Sequence, residues 1–146
     1  MKVIDSFDSP SSHHILKKIG DLKETLKYIK AYSDYCRKEN LAGTPVDPIL
    51  KVLDWISEDD PVDIYFGYMN DKYWYPNVGS DEDAIKSYWF DTVVIFSEDE
   101  KFLERLFALE MEAWDRIDRG EDALAFDDAA IKQFENGRRG LWLWID

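Results

Sequence analysis

The run Thr92-Val-Val-Ile-Phe96 constrains the fold of this chain more than any other segment. Its β-branched and aromatic residues favour a strand, and both alternating sets of side chains lack charge. A strand of this kind has no polar face to turn to water, so it needs packing partners on both sides. We therefore predict a strand from Tyr88 to Phe96 that lies centrally in a sheet.

A helical pattern follows this strand directly. Ser97-Glu-Asp-Glu100 has the form of a capping box, in which a hydroxyl and a carboxylate satisfy the first free backbone N–H groups. The apolar residues behind it recur at helical spacing: Phe102, Leu103, Leu106, Phe107, Leu109, Ala113, Trp114 and Ile117. The pattern predicts a helix from about 98 to 119, which Gly120 ends.

An apolar stripe near the N-terminus also has helical spacing. Its members are Ile15, Ile19, Leu22, Leu26 and Ile29. They predict a helix that begins after Pro10-Ser-Ser12 and extends to Cys36. The alternative is a break at Gly20-Asp21, with Asp21 as a new N-cap and Glu24 as its capping partner.

The remaining segments alternate between strand and helix signals. Residues 2–7 predict a short strand or an ordered arm. Asp47-Pro48 predicts a helix start, and that helix is expected to end near Glu58-Asp59-Asp60-Pro61, where its acids oppose the macrodipole. Residues 62–69 alternate as a strand, with a turn at Asn70-Asp71 and a return strand over 72–75.

The last quarter of the chain predicts a second helix over 127–135, stopped by Gly137, and a C-terminal strand over 141–145. Arg138 and Arg139 then complement the carbonyl end of that helix. The order of elements predicts an α+β fold, with helices packed on one face of a small, mostly antiparallel sheet. At 146 residues, we expect a single globular domain spanning 1–146.

Charge is distributed unevenly along the chain. Residues 1–40 carry eight Lys and Arg against six Asp and Glu, whereas residues 54–100 carry two lysines against thirteen acids. A field of one sign attracts partners of the opposite charge, which predicts a basic protein partner. Nucleic acid and anionic membranes are bound by surfaces rich in Lys and Arg, so neither is expected as a direct partner of this acidic chain.

Aromatic residues are interleaved with this acid. Alternation in a strand cannot bury every member of Tyr73-Trp74-Tyr75, and exposed Tyr and Trp are common interface anchors. We therefore predict a partner-binding surface formed by acids and aromatics of this region. Its predicted residues are Asp59, Asp60, Asp63, Asp71, Tyr73, Trp74, Tyr75, Asp81, Glu82 and Asp83.

Motifs for catalysis or cofactor binding do not stand out in the sequence. His13-His14 is the only histidine pair, Cys36 is the only cysteine, and the seven glycines form no nucleotide-binding fingerprint. We expect a protein that is not an enzyme and has no cofactor or metal. The lone cysteine and the lack of a signal-peptide or membrane-spanning run predict a cytoplasmic location.

Size, acidity, cytoplasmic character and the lack of a catalytic motif resemble the small acidic immunity proteins that bacteria make against their own secreted toxins, including those of contact-dependent inhibition. The resemblance implies a cognate toxin domain as partner, of a basic nuclease type, with its active site occluded. Three alternatives remain. They are a phage-type inhibitor that mimics nucleic acid, as anti-CRISPR proteins do, a small carboxylate-dependent enzyme, and a homo-oligomer joined through aromatics.

Overall fold

The computed structural model describes residues 5–9, 14–38, 46–68 and 90–145. Within these ranges the strands are β1 (Asp5–Ser9), β2 (His14–Lys18), β3 (Val62–Tyr68), β4 (Thr92–Ser97), β5 (Asp128–Gln133) and β6 (Arg139–Trp144). The helices in the same ranges are α1 (Leu22–Lys38), α2 (Val46–Asp54) and α3 (Glu100–Asp118).

The six strands form one antiparallel sheet in the order β1-β2-β3-β4-β6-β5. Strand β4 lies between β3 and β6, with Val94 opposite Tyr65 on one side and Trp142 on the other. All six of its residues are buried, which confirms the central strand predicted from the apolar run. The sheet and helices together confirm the α+β prediction.

The main hydrophobic core lies between one face of the sheet and the helices. Phe66 and Ile95 point into it from β3 and β4. Each helix contributes a fully buried side chain to the same cluster: Ile29 from α1, Ile49 from α2 and Leu103 from α3. The described helices therefore pack on one face, as expected.

A second, smaller cluster lies on the opposite face of the sheet, and its buried members are Leu16, Tyr65, Val94, Phe96 and Phe134. The rings of Tyr65 and Phe134 meet the ring of Phe96 edge to face, with centroids 5.3 and 5.1 Å apart. Within the described ranges, no helical residue joins this cluster. The helix-free face therefore has its own aromatic packing.

Two segments predicted as helix are strands. His14–Lys18 pairs with β1 and β3, and Asp128–Gln133 pairs with β6. Gly137 is not a helix stop, because it lies in the turn between β5 and β6 with φ +80° and donates its N–H to the Phe134 carbonyl. The predicted role of the arginines at 138 and 139 is therefore wrong, since no helix precedes them.

The predicted helix ends were partly correct. Helix α1 begins at Leu22, and the Asp21 carboxylate accepts the Glu24 N–H at 2.9 Å, which confirms the break at Gly20-Asp21. Helix α3 is capped by Asp99 and not by Ser97, which ends β4. Helix α2 ends at Asp54, so the acids at 58–60 lie beyond it and do not oppose its dipole.

Candidate partner-binding surface

The sheet register brings two acidic segments to the same end of the molecule. Val62, the first residue of β3, lies opposite Ser97, the last residue of β4. Residues 58–60 lead into β3 and residues 98–100 leave β4, so both segments flank that end of the strand pair. The two segments contribute six acidic residues: Glu58, Asp59, Asp60, Glu98, Asp99 and Glu100.

Three of the six acids have structural partners. Asp60 accepts the Ser57 N–H at 2.8 Å, and Asp99 accepts the Phe102 N–H at 3.2 Å. Glu100 pairs with the Arg139 Nε at 3.1 Å. These contacts fix the turn before β3 and the start of α3, so the segments that carry the other three acids are anchored to regular structure.

The other three acids, Glu58, Asp59 and Glu98, are exposed. Within the described part of the chain they have no ion pair and no side-chain hydrogen bond. We call this set the acidic end. Unpaired carboxylates on anchored backbone leave a negative field in solvent that is available to an outside cation.

Asp63, predicted as part of the partner surface, has its charge satisfied within the molecule. It lies on the helix-free face, where Lys18 Nζ bonds one carboxylate oxygen and Arg138 Nη2 bonds the other at 2.7 Å. The Arg138 guanidinium also lies 4.9 Å from the centroid of the Phe96 ring. Partial burial opposes ionisation, but the two hydrogen bonds outweigh it and lower the pKa of Asp63.

A tyrosine–carboxylate pair lies beside this ion-pair group. The Tyr65 hydroxyl donates a hydrogen bond to Asp5, across from the β3 strand to β1. Burial, and then the contact with Asp5, raise the pKa of Tyr65 above its usual range. The helix-free face thus links β1, β2, β3 and the β5–β6 turn through internal polar contacts.

Of the ten predicted partner-binding residues, the structure describes three. Asp59 is exposed at the acidic end, Asp60 is half-buried beside it, and Asp63 belongs to the ion-pair group on the helix-free face. The remaining seven lie outside the described residues and stay predictions: Asp71, Tyr73, Trp74, Tyr75, Asp81, Glu82 and Asp83.

A buried carboxylate that sequence reasoning missed lies in the middle of α3. The side chain of Glu110 is 0% exposed, and its Oε1 accepts the Phe126 N–H at 2.6 Å. Among the described residues its Oε2 has no hydrogen-bond partner, and Lys51 Nζ lies 3.9 Å from it. Burial raises the pKa of Glu110, and the Phe126 N–H and the Lys51 charge offset only part of that effect.

The contacts around Glu110 attach the α3–β5 connection to the helices. Lys51 Nζ also donates to the Leu124 carbonyl, and Trp114 Nε1 donates to the Phe126 carbonyl at 2.7 Å. Burial lowers the pKa of Lys51, and the nearby Glu110 charge partly counters this. The connection is therefore tied to α2 and α3 at three points.

A cavity of about 260 Å³ opens beside this connection. Lys51, Trp55, Leu109 and Leu124 are among its walls, and Glu112 and Arg116 line it as well, so apolar surface meets two cationic groups and one carboxylate there. Leu124 is 47% exposed, which leaves an apolar rim. The opening therefore combines apolar walls with charged groups of both signs.

Glu110 did leave a signal in the sequence. Leu103, Leu106 and Ala113 are buried on α3, and Glu110 falls on the same stripe at helical spacing. A charged residue on an apolar stripe predicts a buried, hydrogen-bonded carboxylate. The acidic end left a partial signal in the acid excess of residues 54–100, but its two segments meet only through strand pairing.

Within the described ranges, no group of three or more His, Cys, Asp and Glu side chains is arranged to hold a metal ion. A search of the same residues finds no helix that is long and apolar enough to cross a membrane. Comparison with protein-family models, with curated proteins and with solved structures found no match to this chain.

Proposed function

We propose that this protein binds and neutralises a basic bacterial toxin of the nuclease type, as immunity proteins do, by covering the toxin's active site. The observation that carries the proposal is the acidic end. Among the described residues, Glu58, Asp59 and Glu98 are unpaired and exposed, and the register places their two segments at the same end of the β3–β4 pair. A nuclease active site gathers Lys and Arg to bind phosphates, so it offers the complementary charge.

Rigid anchoring supports tight binding as well as attraction. The turn before β3 is fixed by the Asp60 contact to Ser57, and the start of α3 is fixed by its Asp99 cap. Carboxylates on ordered segments lose little further conformational freedom when a partner binds. The long-range field of the chain, with a net charge of −13, would speed the encounter.

The test begins with the whole chain as bait in a lysate of the source organism, with the captured proteins identified by mass spectrometry. The proposal expects a basic protein that stops growth when it is expressed alone in a bacterial host. Coexpression of this chain should restore growth. A captured protein that leaves growth unaffected when expressed alone would contradict the proposal.

The surface itself is tested with a triple charge reversal, Glu58→Lys, Asp59→Lys and Glu98→Lys. We expect the association rate to fall about tenfold or more, with a weaker dependence on salt, because the steering field is inverted at the contact. The matched control reverses Asp115, Asp118 and Asp122, three exposed acids at the far end of α3. A helix of 19 residues is about 28 Å long, so the control keeps the same net charge at a distant place.

Equal loss of association rate in both triple variants would mean that only net charge matters and that the acidic end is not the contact. A separate reversal of Asp81, Glu82 and Asp83 tests the predicted aromatic hairpin in the same assay. If that triple alone abolishes binding, the contact lies there and not at the acidic end.

A further inference from the structure

Strand β5 forms one outer edge of the sheet and pairs with β6 on its inner side alone, among the strands that the structure describes. Lys132 lies opposite Gly140, and Phe134 donates its N–H to the Arg138 carbonyl at 2.9 Å. In an antiparallel pair, alternate residues bond to the neighbouring strand. The even-numbered residues of β5 therefore bond to β6, and Ala129, Ile131 and Gln133 direct their backbone groups outwards.

Within the described part of the chain, this edge is regular and available for pairing. Its register with β6 continues without a bulge from Asp128 to Gln133, and the segment contains no proline. The outward N–H of Ala129 is bonded by the Asp128 carboxylate at 2.8 Å. Within the described part of the chain, the outward groups of Ile131 and Gln133 have no partner. Regular edges with unpaired backbone groups accept another strand.

The side chains of β5 complement those of a second β5. When two copies run antiparallel with Ala130 facing Ala130, each Asp128 faces Lys132 of the other copy. These positions are non-hydrogen-bonded pairs, in which opposed side chains come closest. Centring the pairing on Ile131 instead would place Lys132 opposite Ala130 and leave both charges unmatched. Charge therefore selects one register.

Both charged side chains have contacts within the single chain that pairing would replace. Asp128 bonds the neighbouring Ala129 N–H, and Lys132 Nζ lies 3.9 Å from the centroid of the Trp142 ring. Pairing exchanges these contacts for ion pairs and frees the outward N–H of Ala129 for a strand hydrogen bond. The net charge of −13 opposes self-association, so pairing depends on concentration and on salt.

We propose that the β5 edge is a homodimerisation surface, through which two copies join antiparallel about Ala130 into one continuous sheet, with Asp128 of each facing Lys132 of the other. The inference goes beyond the toxin-binding proposal and does not depend on it. The acidic end lies at β3 and β4, away from the outer edge of β5.

Sedimentation equilibrium of the full chain tests the proposal, from about 10 μM to about 1 mM at ~0.15 M salt. The mass should rise from 17.2 kDa toward twice that value with concentration. Asp128→Lys and Lys132→Asp should each weaken the dimer about tenfold, because each substitution places like charges opposite one another twice.

Two further samples restore the charge complementarity between the paired strands and decide the test. The double variant Asp128→Lys/Lys132→Asp should regain the dimer, since the two charges have only exchanged places. An equimolar mixture of the two single variants should form a heterodimer, because one copy supplies two lysines and the other two aspartates. Asp122→Lys, an exposed control with the same charge change outside β5, should retain the dissociation constant of the unmodified chain.

Three results would overturn the proposal: a monomer at every concentration, a dimer that neither single variant weakens, and single variants whose mixture stays monomeric. Protection of the β5 amides from exchange only after a different protein is added would identify a foreign strand as the occupant.

Discussion

Glu110 is a fully buried carboxylate, and its replacement by Gln measures what its charge costs the fold. Its Oε1 accepts the Phe126 N–H, while its Oε2 has no hydrogen-bond partner and lies 3.9 Å from Lys51 Nζ. Gln keeps an oxygen for Phe126 and removes the negative charge. The substitution therefore separates the hydrogen bond from the ionisation.

The pH dependence follows from the direction of the pKa shift. Burial raises the pKa of Glu110 above its ordinary value, so the folded state holds this proton more tightly than the unfolded state does. The associated stability is fully present below the unfolded pKa of about 4.3, and it is lost as pH rises through the folded pKa. Relative to the native chain, Glu110→Gln should gain stability with rising pH, by about 1.4 kcal/mol for each unit of pKa elevation.

Urea unfolding followed by circular dichroism at several values between pH 4 and 7 gives this difference directly. Glu110→Met is the matched control, because it has similar volume but leaves the buried Phe126 N–H without an acceptor. We expect Met to lie about 1–3 kcal/mol below Gln at every pH. A difference between Gln and the native chain that stays constant from pH 4 to 7 would refute the reasoning, as would equal stability of Gln and Met.

Two further predictions concern the helix-free face of the sheet. Gly140→Ala would place a Cβ 2.9 Å from both Phe96 Cδ1 and Val94 Cγ1, so we expect a loss of about 1–3 kcal/mol in urea unfolding. The control is Gly137→Ala, whose Cβ would meet open space at φ +80°; we expect it to lose only about 1–2 kcal/mol of unfolding free energy, from backbone strain. Unchanged stability of Gly140→Ala would contradict the close packing at that position. Asp63→Asn should cost about 1 kcal/mol at pH 7. The folded pKa of Asp63 is lowered, so the stability that its charge contributes is present above the unfolded pKa and is lost as pH falls. The stability difference between the native chain and Asp63→Asn should therefore shrink below about pH 4. A difference that does not depend on pH would indicate a packing effect instead.

Elements whose signal is local to one segment could be predicted from the sequence. The apolar run in β4 has no polar face, so it has to be buried on both sides. The apolar stripe of α3 extends over five turns before Gly120 ends the helix. The alternation predicted over 62–69 corresponds to β3, Val62–Tyr68, and residue 69 lies outside the described residues. These patterns agree with the tertiary contacts, so short-range reasoning was sufficient for the central strands, the long helix and the fold class.

The short edge elements could not be predicted in the same way. Ile15 and Ile19 continue the stripe of α1 by coincidence of spacing, although Leu16 and Lys17 are buried by pairing with β3. The Ala-Ala-Ile centre of β5 contains two of the best helix formers. Pairing with Leu141 and Trp142 of β6 overrides that local preference. A five- or six-residue segment does not contain the information about its partner strand.

A count of acidic residues overestimates how many carboxylates are free of contacts within the described part of the fold. In the described part of residues 54–100, Asp63 is paired with two cations, while Asp60 and Asp99 bond backbone N–H groups. Reversing any of these would destabilise the fold and reduce binding for the wrong reason. Within the described residues, Glu58 and Glu98 have no such contact, so their reversal tests the proposed partner surface without removing a contact of the fold. Sequence proximity grouped these acids together, and the hydrogen bonds and ion pairs of the structure separate those that hold the fold from those that are unpaired among the described residues.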